Sequence, residues 1–241
     1  MTSAQIIDLW EHGRNQSIAE RAQLLLQLAF PQASKGELLR LTLGQRDSVL
    51  LRLREMTFGP TLACVGECPE CGALGERGIE LPRLLGEPPS NPGRVDFLFD
   101  QDGFQIQFRP LRGTDLHLLQ RAKDSEAARE LLMSCVIASC RRNGLELDIK
   151  RLPDHILEEL SASVVDADPQ SELWVEIECP ECGAEYDAIL DIMNFFWREI
   201  AAEARRTQAE VAYLVRAYGW SAPKILKMSG ERRRLYMEAA A

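Results

Sequence analysis

The heptapeptide ECPECGA occurs twice in this chain of 241 residues, at residues 67–73 and again at residues 178–184. Each copy contains a C-x-x-C pair, and the four cysteines are Cys68, Cys71, Cys179 and Cys182. A C-x-x-C turn directs two sulfurs toward one ion, so each copy supplies half of a tetrahedral four-thiolate shell. The repeat therefore predicts one structural zinc ion (Zn2+) that all four cysteines bind.

Alternatives remain for the chemistry of the C-x-x-C pairs and for the roles of the other three cysteines. A single C-x-x-C also serves as a redox dithiol, but a redox site does not need an identical second copy. Two independent dithiols, or iron in place of zinc, are the remaining alternatives. We interpret Cys135 and Cys140 as small core residues, because free cysteine is commonly buried. Cys64 is interpreted as a buried hairpin residue, with a spare metal ligand as the alternative.

Alternating apolar and polar residues flank both copies and predict strands. Around the second copy they cover residues 173–178 and 186–191, which indicates a hairpin with the metal at its tip. Around the first copy, residues 61–66 and 76–81 show a weaker version of the pattern, because glycines interrupt it. Together the two hairpins resemble a zinc ribbon whose halves are separated by a long insertion.

The whole chain is predicted to be an α+β protein, predominantly helical, with a split zinc ribbon made of two C-x-x-C-tipped hairpins. Capping-box pairs at Ser17 with Glu20 and at Thr42 with Gln45 indicate helices before the first hairpin, and Thr2 or Ser3 begins the first of them. The predicted parts are residues 1–58 as N-terminal helices, 59–81 and 171–192 as the split zinc ribbon, 82–170 as an inserted β-hairpin plus helices, and 193–241 as C-terminal helices.

The insertion has its own turn and strand signals. Residues 86–93 are a loop by composition, rich in proline and glycine. The expected elements are a hairpin with strands at 95–99 and 104–108, and helices at 114 to about 123, 125 to about 142 with Asn143-Gly144 as the stop, and 153 to about 165.

The C-terminal region contains an amphipathic stripe with alternating spacings of three and four residues, which predicts a long helix ending at Gly219. Its members are Trp197, Ile200, Ala204, Thr207, Val211, Leu214 and Tyr218. Small hairpins offer little apolar area to cover it, so we predict that residues 194–241 carry a partner-binding surface. The alternative is that the N-terminal helices cover the stripe. Residues 232–234, all arginine, are either a solvated helix end or a docking element for an acidic partner.

Composition bounds the class of protein and its compartment. With 46% hydrophobic and 27% charged residues the chain is an ordinary globular protein, and no apolar run is long enough for a bilayer. Acidic residues near the N-terminus and seven cysteines predict a cytoplasmic protein in a reducing compartment. A net charge of −9 argues against nucleic acid as a partner.

No feature of the sequence predicts an enzyme. A shell of four thiolates leaves no open coordination position for water or substrate. His12, His117 and His155 stand far apart in the sequence, with no nucleophile motif around them. The glycine-rich motifs that cradle nucleotides are absent from the sequence.

Two segments carry a resemblance to a known family. They are LTLGQRDSVLLRLREMTFGP at residues 41–60, and WREIAAEARR, RAYGW, PKILKMS and RRRLY within residues 197–241. These segments resemble the T-even-phage-type baseplate hub assembly chaperones of phage tails and contractile injection systems. The resemblance implies a non-enzymatic assembly factor whose partners are baseplate or hub subunits. It does not extend to the insertion.

A rival interpretation is a zinc-ribbon module that binds nucleic acid or a transcription complex. Ribbon tips that touch nucleic acid usually carry basic or aromatic residues, whereas these carry glutamates. Those residues are Glu67, Glu70, Glu178 and Glu181. A metal-dependent hydrolase is a third interpretation, and it would need an open position on the metal.

Overall fold

The computed structural model of the chain describes residues 1–81, 84, 96–119 and 122–240. The predicted loop at residues 86–93 and the first residue of the hairpin predicted at 95–99 lie outside the described residues.

Helices form both ends of the chain, and strands and helices are mixed between them. The helices are α1 Ser3–Gly13, α2 Ile18–Ala29, α3 Lys35–Leu39, α4 Leu43–Phe58, α5 Gly113–Leu119, α6 Ser125–Val136, α7 Asp154–Ala167, α8 Ile192–Tyr218, α9 Ala222–Leu226 and α10 Gly230–Ala239. The strands are β1 Thr61–Glu67, β2 Leu74–Glu80, β3 Phe97–Gln101, β4 Phe104–Phe108, β5 Ile137–Arg142, β6 Leu145–Glu146, β7 Trp174–Glu178 and β8 Glu185–Ile189. The predicted mixture of helices and strands is confirmed.

The N-terminal helices begin where the capping residues predict. The side-chain oxygens of Thr2, Ser17 and Thr42 each accept a hydrogen bond from the backbone N–H three residues later. The side chain of that later residue in turn accepts a hydrogen bond from the backbone N–H of the capping residue. Ser34 caps the short helix α3 in the same way.

Both predicted cysteine-tipped hairpins are present. β1 pairs antiparallel with β2, and β7 pairs antiparallel with β8, each as a two-stranded sheet with a C-x-x-C at the turn. Val175 and Ile177 of β7 are buried, whereas Trp174 is exposed. Alternate side chains of this strand therefore face the core.

The first hydrophobic core lies between these hairpins and the long helix α8. It contains Leu25, Leu50, Leu51, Leu62, Val175, Ile177, Phe196 and Ile200, together with further buried side chains. The hairpins therefore have one face on the helices and one face outward.

The stripe on α8 is mostly covered within the chain, so little of it is left to face a partner. Five of its seven residues are buried: Trp197, Ile200, Ala204, Thr207 and Leu214. α1, α2, α4 and α10 all contact α8. The alternative, that the N-terminal helices cover the stripe, is thus supported for its buried residues, with α10 contributing to the cover. A partner-binding surface elsewhere on residues 194–241 stays a prediction.

The arginine run in α10 is only partly solvated, contrary to both interpretations of it as an exposed group. Arg233 is fully buried, and its Nε lies 2.7 Å from Oε2 of Glu210 on α8. Arg233 Nη1 also donates to the hydroxyl of Ser3 at 3.1 Å. The middle residue of the run thus fastens α10 to α8 and to the first helix, and only its neighbours Arg232 and Arg234 are exposed.

The insertion builds a four-stranded antiparallel sheet in the order β3-β4-β5-β6, with α7 packed against β3. This sheet forms a second core in the described chain. Its buried members include Phe104, Ile106, Phe108, Ile137, Cys140, Ile156 and Leu160.

The helix predicted from Ser125 to about residue 142 is wrong in its second half. α6 ends at Val136, and residues 137–142 form β5, which pairs with β4. Asn143 and Gly144 have φ values of 51° and 82°, so they form the tight turn between β5 and β6. Asn-Gly between two strands is a strong hairpin signal, and its use as a helix stop was the error.

Candidate metal centre

The four cysteines of the repeated heptapeptide lie together at the tips of the two hairpins. Their sulfur atoms are all within 4.8 Å of one another. The Sγ atoms of Cys68 and Cys182 are 3.7 Å apart, and those of Cys71 and Cys179 are 3.6 Å apart. Each close pair joins one hairpin to the other, so neither C-x-x-C is a separate dithiol.

These distances fit one shared ion. Four sulfurs at about 2.3 Å from a central zinc ion in a tetrahedron are about 3.8 Å from one another. The cluster could therefore hold a metal ion in the described geometry with little movement of the side chains.

The two turns have the same backbone structure. The N–H of Cys68 donates to the carbonyl of Ala73 at 2.9 Å, and the N–H of Cys179 donates to that of Ala184 at 2.8 Å. In both turns the glycine that follows the second cysteine has a positive φ, 71° and 72°. The repeated sequence thus gives a repeated local fold that aims two sulfurs toward the same point.

Glycines in the first hairpin let the second hairpin approach closely. Gly66 and Gly75 are cross-strand partners. A Cβ on Gly75 would lie 3.1 Å from Cδ of Pro180, and a Cβ on Gly66 would lie 3.3 Å from the hydroxyl of Tyr186. The glycines that weakened the strand prediction are therefore the residues that bring the two cysteine pairs together.

The pKa values of the clustered thiols indicate that a cation would be needed to keep all four deprotonated. Backbone N–H groups of Cys182 and Glu181 lower the pKa of the Cys179 thiol to about 7. At Cys71 a hydrogen bond from the Ala73 backbone lowers the pKa, but the three neighbouring thiols and burial outweigh it and raise the pKa to about 12. One thiolate is thus readily held near neutral pH, whereas four thiolates at this spacing require a positive ion between them.

The centre is buried on one side only. Cys68 and Cys179 are each 2% exposed, whereas Cys71 and Cys182 are exposed. An ion could therefore enter from solvent, while the first cysteine of each pair anchors the site in the fold.

The remaining candidate residues lie away from this cluster. Cys64 is half-buried on β1 against the first core, and it is not a member of the four-sulfur group. Cys140 is buried in the second core, as predicted, and Cys135 is half-buried. His12 contacts the carbonyl of Asp8 within its own helix.

Of the two other histidines, only His155 has a described side chain. His155 is exposed, with Nε2 3.9 Å from Oδ2 of Asp102. The side chain of His117 lies outside the described part of the structure. Within the residues that are described, no helix has both the length and the apolar character needed to cross a bilayer.

Comparison with known proteins identifies the family. A family model described as "T4 bacteriophage base plate protein" matches residues 11–197. This range includes both cysteine pairs and the whole insertion between them, contrary to the expectation that the resemblance leaves the insertion out. It ends at residue 197, so nearly all of the C-terminal segments that suggested the family lie outside it. Neither the comparison with curated proteins nor that with solved structures gives a match.

Proposed function

The chain belongs to the family of T4 bacteriophage base plate proteins, and we propose that it is a non-enzymatic, zinc-binding assembly factor for the baseplate or its hub. The observation that carries this proposal is the family match over residues 11–197, which includes the four-cysteine cluster. The match confirms the baseplate part of the resemblance. The assembly role, the hub and the metal are the proposed parts.

Zinc is the metal that the donor set supports best. Four thiolates at tetrahedral spacing are typical ligands of structural zinc, whereas calcium and magnesium prefer oxygen ligands. Cys68, Cys71, Cys179 and Cys182 would hold the ion, which would supply folding free energy and no chemistry. Because four protein ligands complete the tetrahedron, a substrate would have no position on the metal.

An assembly role agrees with the surface of the protein. A net charge of −9 favours contact with basic protein surfaces over contact with phosphates. We propose that the protein acts in the cytoplasm of the cell that builds the tail, and that it binds baseplate or hub subunits there before they join the particle.

Deletion of the gene tests the proposal. Cells that make the phage or the tail-like particle without this protein should give tails that lack baseplates, and a plasmid copy should restore them. Mass spectrometry of purified wild-type particles should find less than one copy of the protein per baseplate. Normal baseplates in the deletion strain would contradict the proposal, and full occupancy in finished particles would make it a structural subunit.

The rival function, a ribbon that binds nucleic acid, has less support. Glu70 and Glu181 are exposed at the two tips, where they would repel phosphate groups. A gel-shift assay at low salt separates the two functions. Binding that weakens as salt is raised would favour the rival.

A further inference from the structure

A long groove separates α6 from α7 on the insertion. Its volume is about 720 Å3, which is in the range of pockets that bind ligands or peptide segments. The apolar side chains that line it are Leu111, Leu132, Met133, Val136, Ile137, Leu157, Leu160, Val164 and Val165. None of them belongs to the metal centre.

The groove exists because two apolar helix faces are left partly uncovered. Val136 and Leu160 are buried and form part of the second core below the groove. Leu132 and Val165 are only half-buried and lie outside that core. An ion pair of 3.3 Å between Arg129 and Asp154 links the two helices at one end of the groove. Such an exposed pair contributes little stability, so a partner that displaces it loses little free energy.

The dimensions fit a helix better than a compact small molecule. The α7 residues that line the groove run from Asp154 to Val165, which is about 17 Å at about 1.5 Å per residue. This length corresponds to three helical turns. A helix laid along it would present apolar residues at i, i+3, i+4 and i+7, as in other complexes of a helix in a groove.

The charges around the rim select the partner. Three carboxylates line the groove, on Asp154, Glu158 and Glu172, against the single guanidinium of Arg129. Glu172 also accepts a hydrogen bond of 3.2 Å from Nε1 of Trp174, an exposed residue at the start of β7. The outward face of the second hairpin thus begins beside this end of the groove.

That outward face is also acidic beyond Trp174. The next outward pair on the two strands is Glu176 opposite Asp187, and both side chains are exposed. Like charges directly opposite each other destabilise a hairpin, so this pair is unfavourable unless a positive partner covers it.

We infer that the groove between α6 and α7 binds an amphipathic helix of another baseplate protein, about three turns long, with Lys or Arg residues flanking its apolar stripe. The identity of the partner rests on the proposed function. The groove supplies the apolar contact, and the rim carboxylates select basic flanks and reject acidic ones.

Four variants of the full chain test this inference. Ser161→Trp fills the groove from an exposed lining position, and Ala162→Trp adds the same bulk to the next, exposed residue of α7, outside the lining. Glu158→Lys reverses a rim charge, and Asp166→Lys makes the same change in charge on an exposed residue outside the lining. All four positions are exposed, so thermal melting should show that each variant folds.

The measurement is the Kd for each purified baseplate and hub protein of the same particle. For the one that binds, Ser161→Trp and Glu158→Lys should each weaken affinity about tenfold or more, and the two control variants should stay within about threefold. Added salt should weaken wild-type binding more than that of Glu158→Lys.

The outcomes separate this inference from the proposed function. If a baseplate protein binds and all four variants match the wild type, the helix docks elsewhere: the inference is wrong and the proposed function stands. If no baseplate or hub protein binds the wild-type chain, the proposed function falls, and the assigned partner falls with it.

Discussion

Arg233 connects three parts of the fold through one side chain. Its Nε lies 2.7 Å from Glu210, and its Nη1 donates to Ser3 and to the carbonyl of Met228. The exposed fractions of the two charged side chains are 0% and 6%. A charge pair buried to this degree is costly to break, because the buried carboxylate that remains loses its closest cation.

Replacement of this arginine should therefore destabilise the protein strongly. Arg233→Ala should lower the free energy of unfolding by about 3 kcal/mol or more, since the buried Glu210 carboxylate then keeps only the longer 3.7 Å ion pair with Nη1 of Arg206. Arg234→Ala, at an exposed position on the same helix, should change it by about 0.5 kcal/mol or less. Urea unfolding measures both. Equal effects of the two variants would show that the buried pair adds no stability.

At the level of single residues, the sequence predicted the residues of a local motif, but not which side chains are buried by contacts with distant parts of the chain. The four cysteines were found because two identical C-x-x-C turns carry their own geometry. The sequence of three arginines gives no sign of which one points inward. The choice of Arg233 depends on Glu210, which lies on another helix.

Among the helices, α4 has an N-terminus that is completed from a distant part of the chain. The carboxylate of Asp168 accepts hydrogen bonds from the N–H of Gly44 at 2.8 Å and from the hydroxyl of Thr42 at 2.9 Å. This residue follows α7, so the contact fixes the end of the insertion onto the N-terminal helices. A carboxylate at this end also interacts favourably with the helix dipole.

Burial nevertheless raises the pKa of Asp168, although the hydrogen bonds from Gly44 and Thr42 and the charge of Arg46 lower it. Burial likewise raises the pKa of nearby Asp47. An acid with a raised pKa binds its proton more tightly in the folded state. The stability it contributes is therefore lost as the pH rises from about 4 through the folded-state pKa.

Two substitutions separate the hydrogen bonds of Asp168 from its charge. Asp168→Ala removes both acceptors and should cost about 1 kcal/mol at pH 7. Asp168→Asn keeps an acceptor oxygen without a buried charge, so it should be closer to the wild type and should flatten the fall in stability above pH 4. Urea unfolding from pH 4 to pH 8 measures both effects. An asparagine variant as unstable as the alanine variant would contradict this account.

For whole elements, the sequence predicted helix starts that depend on neighbouring residues, but it did not predict a strand that depends on pairing with a distant strand. Capping boxes placed α2 and α4 correctly, and the alternative caps Thr2 or Ser3 placed the start of α1, because the cap and the helix are neighbours in sequence. β5 was read as helix because its residues continue the apolar pattern of α6, and only pairing with β4 makes them a strand. The groove between α6 and α7 could not be predicted, since no residue pattern shows how far apart two helices lie.

In the molecule as a whole, the two cysteine turns bracket the insertion. The first hairpin leads into it and the second follows it, and their tips meet at the four sulfurs. One ion shared between them would hold both ends of the insertion at one point, and its binding free energy would add to the stability of the whole fold. The insertion has its own core and carries the groove, so the metal would position the proposed docking surface relative to the helices.

The most direct test of this account is the metal content of the purified chain, measured by elemental analysis and native mass spectrometry without chelator. The wild type and Cys64→Ser should each bind one zinc ion per chain, since Cys64 lies outside the cluster. Cys182→Ser should lose most of the metal and unfold at a lower temperature, because the second hairpin can then supply only one sulfur. Two zinc ions per chain, none, or a full complement in Cys182→Ser would contradict a single site shared by the two hairpins.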